Sequence, residues 1–466
     1  MFKSENHKKT VVIMMILAFF ILGISACVRH YNFKTQAFDM GITVQFFWNS
    51  THGHLMESSI ENVQGVKNHF SMHWGPILLV FVPLFAVFSS PYFLLLAQSL
   101  ALVLGAWPLF LLAKKKLEGK NENWPVLFTG AYLLYPSLFW VNNFDFHELA
   151  FFVPFMLTAL YFLEEENWKW MAVFLTLSAL VKEDAILAVI FVGVYLILKK
   201  RFKAGIITSV AAAIYFAATM KFIIPAFGGE FYHAVRYSYL GSSSFPHILK
   251  SVFTSAKIFY LSFLLLPVML TPVMSGRALV LLSPGLAENL LSSWGSQISG
   301  TYQYDALLIP AIFFCAILGF KRILEKKYIR EKHLRIIFII FVLTSFIWRS
   351  PLGPLNFSKE FSEEDRTSRY RKITKMVPAG ASVAAQTNMV PHLAARREIF
   401  MLGTEPEHQD VVLIDGADLF GFADGKTLQS YADDYINTGK YDFKEFENRY
   451  FILYRKGITL RMDSSL

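Results

Sequence analysis

Cysteine is nearly absent: Cys27 and Cys315 are the two in 466 residues, and both lie inside apolar segments. That excludes a disulfide-stapled scaffold and a thiolate metal centre. Charge is also scarce, at 17% Asp, Glu, Lys and Arg against about 25% in ordinary soluble domains. No G-x-S-x-G turn, no HExxH set and no Gly-rich phosphate loop in the C-terminal region occurs, which removes the common signatures of serine hydrolases, zinc peptidases and nucleotide-binding domains. What is abundant is apolar surface. Hydrophobic residues make up 54% of the chain and aromatic residues 16%, with 46 Phe. Apolar runs long enough to cross a bilayer recur from Val11 to Trp348, so the chain reads as a polytopic membrane protein.

The net charge of +9 does not point to nucleic acid. Lys and Arg gather in short breaks, "KKKLEGK", "KKRFK" and "KRILEKKYIREKHLR", the way cytoplasmic loops of membrane proteins collect charge. With Lys3, Lys8 and Lys9 inside, the first span is Val11–Val28. "ILGISAC" also resembles a lipoprotein signal ending at Cys27, an alternative to a signal-anchor helix. A long outer segment, residues 29–91, follows. Its apolar stretch Ile77–Phe88 reads as an interfacial helix, because counting it as a span would invert every later basic loop. The block Trp168–Leu198 is too long for one helix and carries "KED" near its middle, so it reads as two short spans meeting at an outer turn. The total is about eleven spans, an all-α transmembrane bundle over residues 1–349. From 350 to 466 the composition becomes that of a small soluble α/β domain on the outer face. "GASVAAQ", "QDVVLID" and "RYFILYRKG" supply its strands, with "NMVPHLAARRE" as a turn and helix between the first two.

This threading brings ionisable residues to the outer side. They include Asp39, Glu57, Glu61, His69 and His73 in the first outer segment, then Asp145, His147 and Glu148 in "NNFDFHE". Lys182, Glu183 and Asp184 follow, then Glu230, His233 and Arg236, and finally Tyr302, Tyr304 and Asp305. Such residues at the rim of a membrane protein mark functional sites by default. Each also has a plain structural reading. Asp39, near Gly41, suits a helix cap or turn. "KED" suits an ion pair closing a helical hairpin. His69 and His73, four apart, would share one helix face. The glycosylation pattern at Asn49 and Asn356 arises often by chance.

One carboxylate beside a basic cradle suits transfer of a sugar from a polyprenyl phosphate. The departing phosphate needs cationic stabilisation, whereas the acceptor hydroxyl needs one positioned base. The inventory resembles that of the GT-C superfamily of integral-membrane glycosyltransferases. More closely, "FDMGITVQFFWN", "HFSMHWGPILLVFVPLFAVF", "NNFDFHEL", "LVKEDA", "YQYDALLIPAIF" and "VPHLAARREIF" resemble a family of polytopic membrane proteins known only as a domain of unknown function. The resemblance implies a GT-C-like fold in the cytoplasmic membrane, with the C-terminal domain outside. It makes Asp39 the candidate base, and the reaction so read takes His69, Lys182 and Arg236 as candidate ligands of the lipid phosphate. His73, Asp145, His147, Glu148, Glu183, Asp184 and Tyr304 complete the candidate substrate site. Relatives run from "HFS" almost directly into proline, whereas "MHWG" intervenes here, so the role of His73 does not carry over. The implied partners are a polyprenyl-phosphate sugar donor and membrane lipid, not nucleic acid. No cofactor is assigned; a divalent metal stays open. The alternative is a lipid or solute transporter, suggested by Pro284-Gly285 and Glu288 within "LLSPGLAENLL".

Overall fold

The computed structural model describes residues 2–61, 65–230, 232–327 and 329–461. It falls into two compact units that interleave along the chain. One holds residues 1–26, 72–78 and 95–360; the other holds 27–71, 79–94 and 361–466.

The first unit is helical. Among the described residues three helices are long and apolar enough to cross a membrane: Glu5–Tyr31, Pro91–Lys116 and Phe202–Ala226. A fourth is reached if Pro246–Val252 and Ser255–Val268, bent by 51°, count as one broken span. The expected eleven spans are therefore not found, and the reason is local. One expected span breaks at Pro136 into Trp124–Leu133 and Pro136–Asn143, and the two halves of Trp168–Leu198, Trp168–Ala179 and Glu183–Leu198, are only 12 and 16 residues long. Leu149–Glu164, at 16 residues, rises only about 24 Å, short of a hydrocarbon core about 30 Å thick. Residues 271–282 wind as a 3₁₀ segment kinked at Gly276, whose φ is 67°. The break at 180–182 is the turn expected inside the block Trp168–Leu198.

Two close approaches hold these helices together. A Cβ on Gly193 would stand 2.7 Å from the Gly205 carbonyl, so small residues let Glu183–Leu198 and Phe202–Ala218 pack backbone to backbone. A Cβ on Gly319 would lie 1.9 Å from the Thr271 carbonyl oxygen, where no side chain fits. Elsewhere the contacts are aromatic. Phe128, Phe320 and Phe338 meet edge-on or tilted, with centroids 5.1–5.6 Å apart.

The second unit carries a five-stranded sheet: β1 (Val383–Ala385), β2 (Ile399–Met401), β3 (Val411–Asp415), β4 (Tyr441–Phe446) and β5 (Tyr450–Arg455). Their spatial order is β2-β1-β3-β5-β4, with β1 parallel to both β2 and β3, and β5 antiparallel to β3 and β4. Strands β1, β3 and β5 are those expected from "GASVAAQ", "QDVVLID" and "RYFILYRKG". Strands β2 and β4 were not anticipated: β2 is three residues long, and the alternation of β4 is polar and mostly exposed. Helix Gly425–Asn437 packs Leu428 and Tyr435 against Val412, Ile414 and Leu453. Residues from the chain's beginning also belong here. Asn32 Nδ2 donates to the Phe361 carbonyl at 2.7 Å, and Ser59 Oγ both donates to and accepts from the backbone of Ile399.

Candidate functional site

In the second unit, residues Ala37–Gly41 form one π-helical turn that runs directly into helix Ile42–Thr51. Such turns recur at functional positions because they redirect side chains without ending the helix. The residue at the cap position is Gln36, with extended φ −124° and ψ 161°. Asp39 is therefore not the cap that its sequence context allowed. It sits inside the first turn, half-buried, where the exposed N–H groups of the helix favour a carboxylate. The turn is held from both sides. Ala37 N–H donates to Thr387 Oγ1 at 3.1 Å, and a Cβ on Gly41 would meet Val390 Cγ1 at 2.9 Å.

His69 lies in the same unit. Its ring stacks on Phe46 at 4.7 Å, and its Nδ1 pairs with Glu61 Oε2 at 2.7 Å. The helical turn there covers only His69–Ser71. The shared helix face expected for His69 and His73 is therefore absent, because the helix stops before His73. Asn49, one of the glycosylation matches, is buried and donates to the Glu57 carbonyl at 2.8 Å.

The first unit gathers most of the other candidates. Lys182 adopts an extended backbone just before helix Glu183–Leu198, which puts Glu183 and Asp184 in that helix's first turn. Lys182 Nζ pairs with Glu148 Oε1 at 3.1 Å, and both side chains are more than nine-tenths buried. Glu183 takes His73 Nδ1 on one oxygen at 2.7 Å and the Trp74 N–H on the other at 2.9 Å. Trp74 in turn donates from its indole to Tyr215 at 2.7 Å. Gly75 leaves room for this approach, since a Cβ would stand 2.8 Å from the Val181 carbonyl. The inserted "MHWG" thus supplies the groups that hold the start of the Glu183 helix, a role that the motif comparison could not give His73.

Asp145 and His147 belong to the tight turn between Pro136–Asn143 and Leu149–Glu164. Asp145 takes a left-handed φ of 47°, and its carbonyl accepts from Gln98 Nε2 at 2.8 Å. His147 N–H donates to Gln98 Oε1 at 2.7 Å. One buried glutamine therefore pins this turn, with further bonds to the Val141 and Asn142 carbonyls. The His147 ring lies parallel to Phe144, against which Tyr302 packs edge-on at 4.5 Å. Tyr304, half-buried, sits 6.3 Å from Tyr302. Arg236 is buried, with its guanidinium 5.5 Å from both the Tyr237 and Trp294 rings. Its Nε meets no hydrogen-bond acceptor. Glu230 is exposed, and the His233 side chain lies outside the described residues.

Sequence reasoning passed over Gln98, Trp74 and Gly75. The polar Gln98 within an apolar helix was the one visible signal. Among the described residues no three of His, Cys, Asp and Glu converge as a metal site. The carboxylates of Glu148 and Glu183 are already engaged by Lys182 and His73.

No curated protein matches this sequence. The fold matches two crystal structures of ArnT from Cupriavidus metallidurans. The structure bound to undecaprenyl phosphate is 11% identical, with a TM-score of 0.56 over 95% of this chain and 97% of that one. The apo structure is likewise 11% identical, with a TM-score of 0.55 over the same shares. A model of predicted membrane proteins matches residues 29–451, and the chain belongs to that family, DUF2079.

Proposed function

We propose that this protein is a membrane glycosyltransferase that moves a sugar from a polyprenyl-phosphate donor to an acceptor hydroxyl on the outer face of the cytoplasmic membrane. The observation that carries the reading is the fold likeness to ArnT, a GT-C glycosyltransferase, across nearly the whole chain. In the proposed reaction the acceptor oxygen forms a bond to the anomeric carbon of the sugar. The bond from that carbon to the lipid phosphate breaks, and the phosphate leaves with the electron pair. Asp39 takes the hydroxyl proton. Lys182, Arg236 and His69 bind the phosphate, with Asp145, His147, Glu148, Glu183, Asp184, His73 and Tyr304 shaping the site around donor and acceptor.

The half-buried position of Asp39 suits a base, because the carboxylate stays open to an incoming hydroxyl while the helix start orients it. The pairing of Lys182 with Glu148 suits a phosphate ligand held in place before the donor arrives. A divalent metal on the donor phosphate is a variant of this proposal. Loss of transfer in EDTA, restored by magnesium, would add it.

The test is transfer of labelled sugar from a polyprenyl-phosphate donor in membranes. Asp39→Asn should slow transfer by roughly 10²–10⁴-fold while the protein stays folded; full activity would remove Asp39 as base. The transporter reading draws on Pro284-Gly285 and Glu288, which lie in helix Ser283–Leu291, and makes the opposite forecast: lipid or solute flux in liposomes without product.

A further inference from the structure

Within the first unit, helices Phe2–Tyr31, Trp124–Leu133 and Glu331–Arg349 border an open groove of about 540 Å³. The proposed transfer makes no use of it. Val126, Leu127, Ile336 and Ile339 form its apolar wall, and His7, Lys332 and Arg335 lie along it. Lys332, Arg335, Ile336 and Ile339 recur at three- and four-residue spacing, so they occupy one face of their helix, with the cations toward its positive end. Glu331, the acid beside Lys332, is turned elsewhere: it accepts from the Trp124 indole at 2.6 Å and from the Asn121 N–H at 3.3 Å. Arg335 Nε is buried and meets no acceptor in the protein. Ile336 and Ile339 remain 48% and 39% exposed. The bordering helix Glu5–Tyr31 is apolar enough to span a membrane, and only 33% of its apolar window is buried.

An apolar trough with cations at one end, on a surface that faces lipid, matches a ligand with a hydrocarbon tail and an anionic head. We infer that this groove seats an anionic phospholipid. One acyl chain lies along Val126, Leu127, Ile336 and Ile339, and the phosphodiester sits at Lys332 and Arg335. A zwitterionic lipid of equal chain length brings the same phosphodiester together with a quaternary ammonium that Lys332 and Arg335 repel, so it binds less tightly. The groove therefore discriminates by headgroup charge.

Native mass spectrometry of the full chain in neutral detergent tests this, with phosphatidylglycerol and phosphatidylcholine of the same chain length as probes. Phosphatidylglycerol is expected to bind more tightly. Lys332→Gln with Arg335→Gln should weaken it about tenfold, weaken phosphatidylcholine less, and so bring the two lipids close to equal. Ile339→Trp keeps both charges, fills the trough and should also lower phosphatidylglycerol occupancy. Lys203→Gln, an exposed cation of a different helix, should change nothing. Equal binding of the two lipids would overturn the inference. So would an equal loss with Lys203→Gln, an unaffected Ile339→Trp, or preferential binding of undecaprenyl phosphate at the Lys332 and Arg335 positions.

Discussion

Two regions carry acids that looked alike in sequence and prove physically different. Around Lys182, two buried acids have specific partners, Glu148 with Lys182 and Glu183 with His73. Asp39 sits half-buried in the first turn of a helix, beside Phe38, which is 48% exposed. A buried pair resists change because removing either partner strands the other in a low-dielectric interior. A half-buried carboxylate at a helix start keeps part of its hydration, and asparagine preserves its shape and an acceptor oxygen, so neutralising it costs the fold less. Mutations near Lys182 therefore mix stability with function, whereas mutations at Asp39 separate them.

The largest expected effect lies on the Asp39 side. Asp39→Asn should lower transfer by roughly 10²–10⁴-fold, with a melting temperature in detergent close to that of the parent. Loss of folding together with activity would put Asp39 in the same class as the Lys182 group. Next comes Lys182→Met, which should destabilise by about 3–5 kcal/mol because it takes the ammonium away from the buried Glu148 carboxylate. Adding Glu148→Leu should restore most of that stability without restoring transfer. If the double variant is no more stable than the single, the ion pair is not what the fold depends on there.

A third, smaller effect concerns the sheet, where Asp415 extends the comparison to an acid wholly engaged by protein groups. Burial alone would raise its pKa, but the Arg449 guanidinium at 2.6 and 2.8 Å, the Ala417 N–H and the Tyr370 hydroxyl outweigh burial and hold it below the usual carboxylate range. A depressed folded pKa contributes stability above the unfolded value, about 4, that is lost as pH falls through the folded value. Arg449→Ala should cost about 1.5–3 kcal/mol at pH 7. The gap between variant and parent should close as pH drops below about 4. Hydrogen exchange of the β3 and β5 amides against pH checks this; a gap that persists in acid would mean that Arg449 acts by packing. The smallest effect is expected at Gly75→Ala, about 1–3 kcal/mol from forcing a methyl against the Val181 carbonyl. Thermal unfolding would read it, and a neutral result would show that the turn at residues 180–182 yields.

Much of the fold was legible, for identifiable reasons. The apolar runs, the break inside Trp168–Leu198 and three of the five strands follow from periodicity and turn residues, which act over a few neighbours. The eleven-span count failed because hydropathy cannot see where a run changes direction. Pro136 divides a run that composition alone joins, and helices such as Leu149–Glu164 and Trp168–Ala179 stop short of a bilayer's thickness. The candidate acids were visible as charges in an apolar chain, but their partners were not. Glu183 meets His73 across 110 residues, and Lys182 meets Glu148 across two intervening helices. Gln98, which fixes the turn carrying Asp145 and His147, gave only the faint signal of one amide among leucines.

By itself the sequence determined a membrane-embedded, largely helical chain with a small α/β tail, and it named the residues too polar for their surroundings. These are local properties, set by the transfer cost of each side chain and by helix and strand periods. Tertiary structure decided which of those residues stand paired and buried, and that Asp39 lies within a helical turn instead of capping it. It also joined residues 27–71 with 361–466 in one compact unit. Those outcomes rest on contacts between segments hundreds of positions apart, such as Ser59 with Ile399, whose loop-closure cost is met only when the whole unit packs.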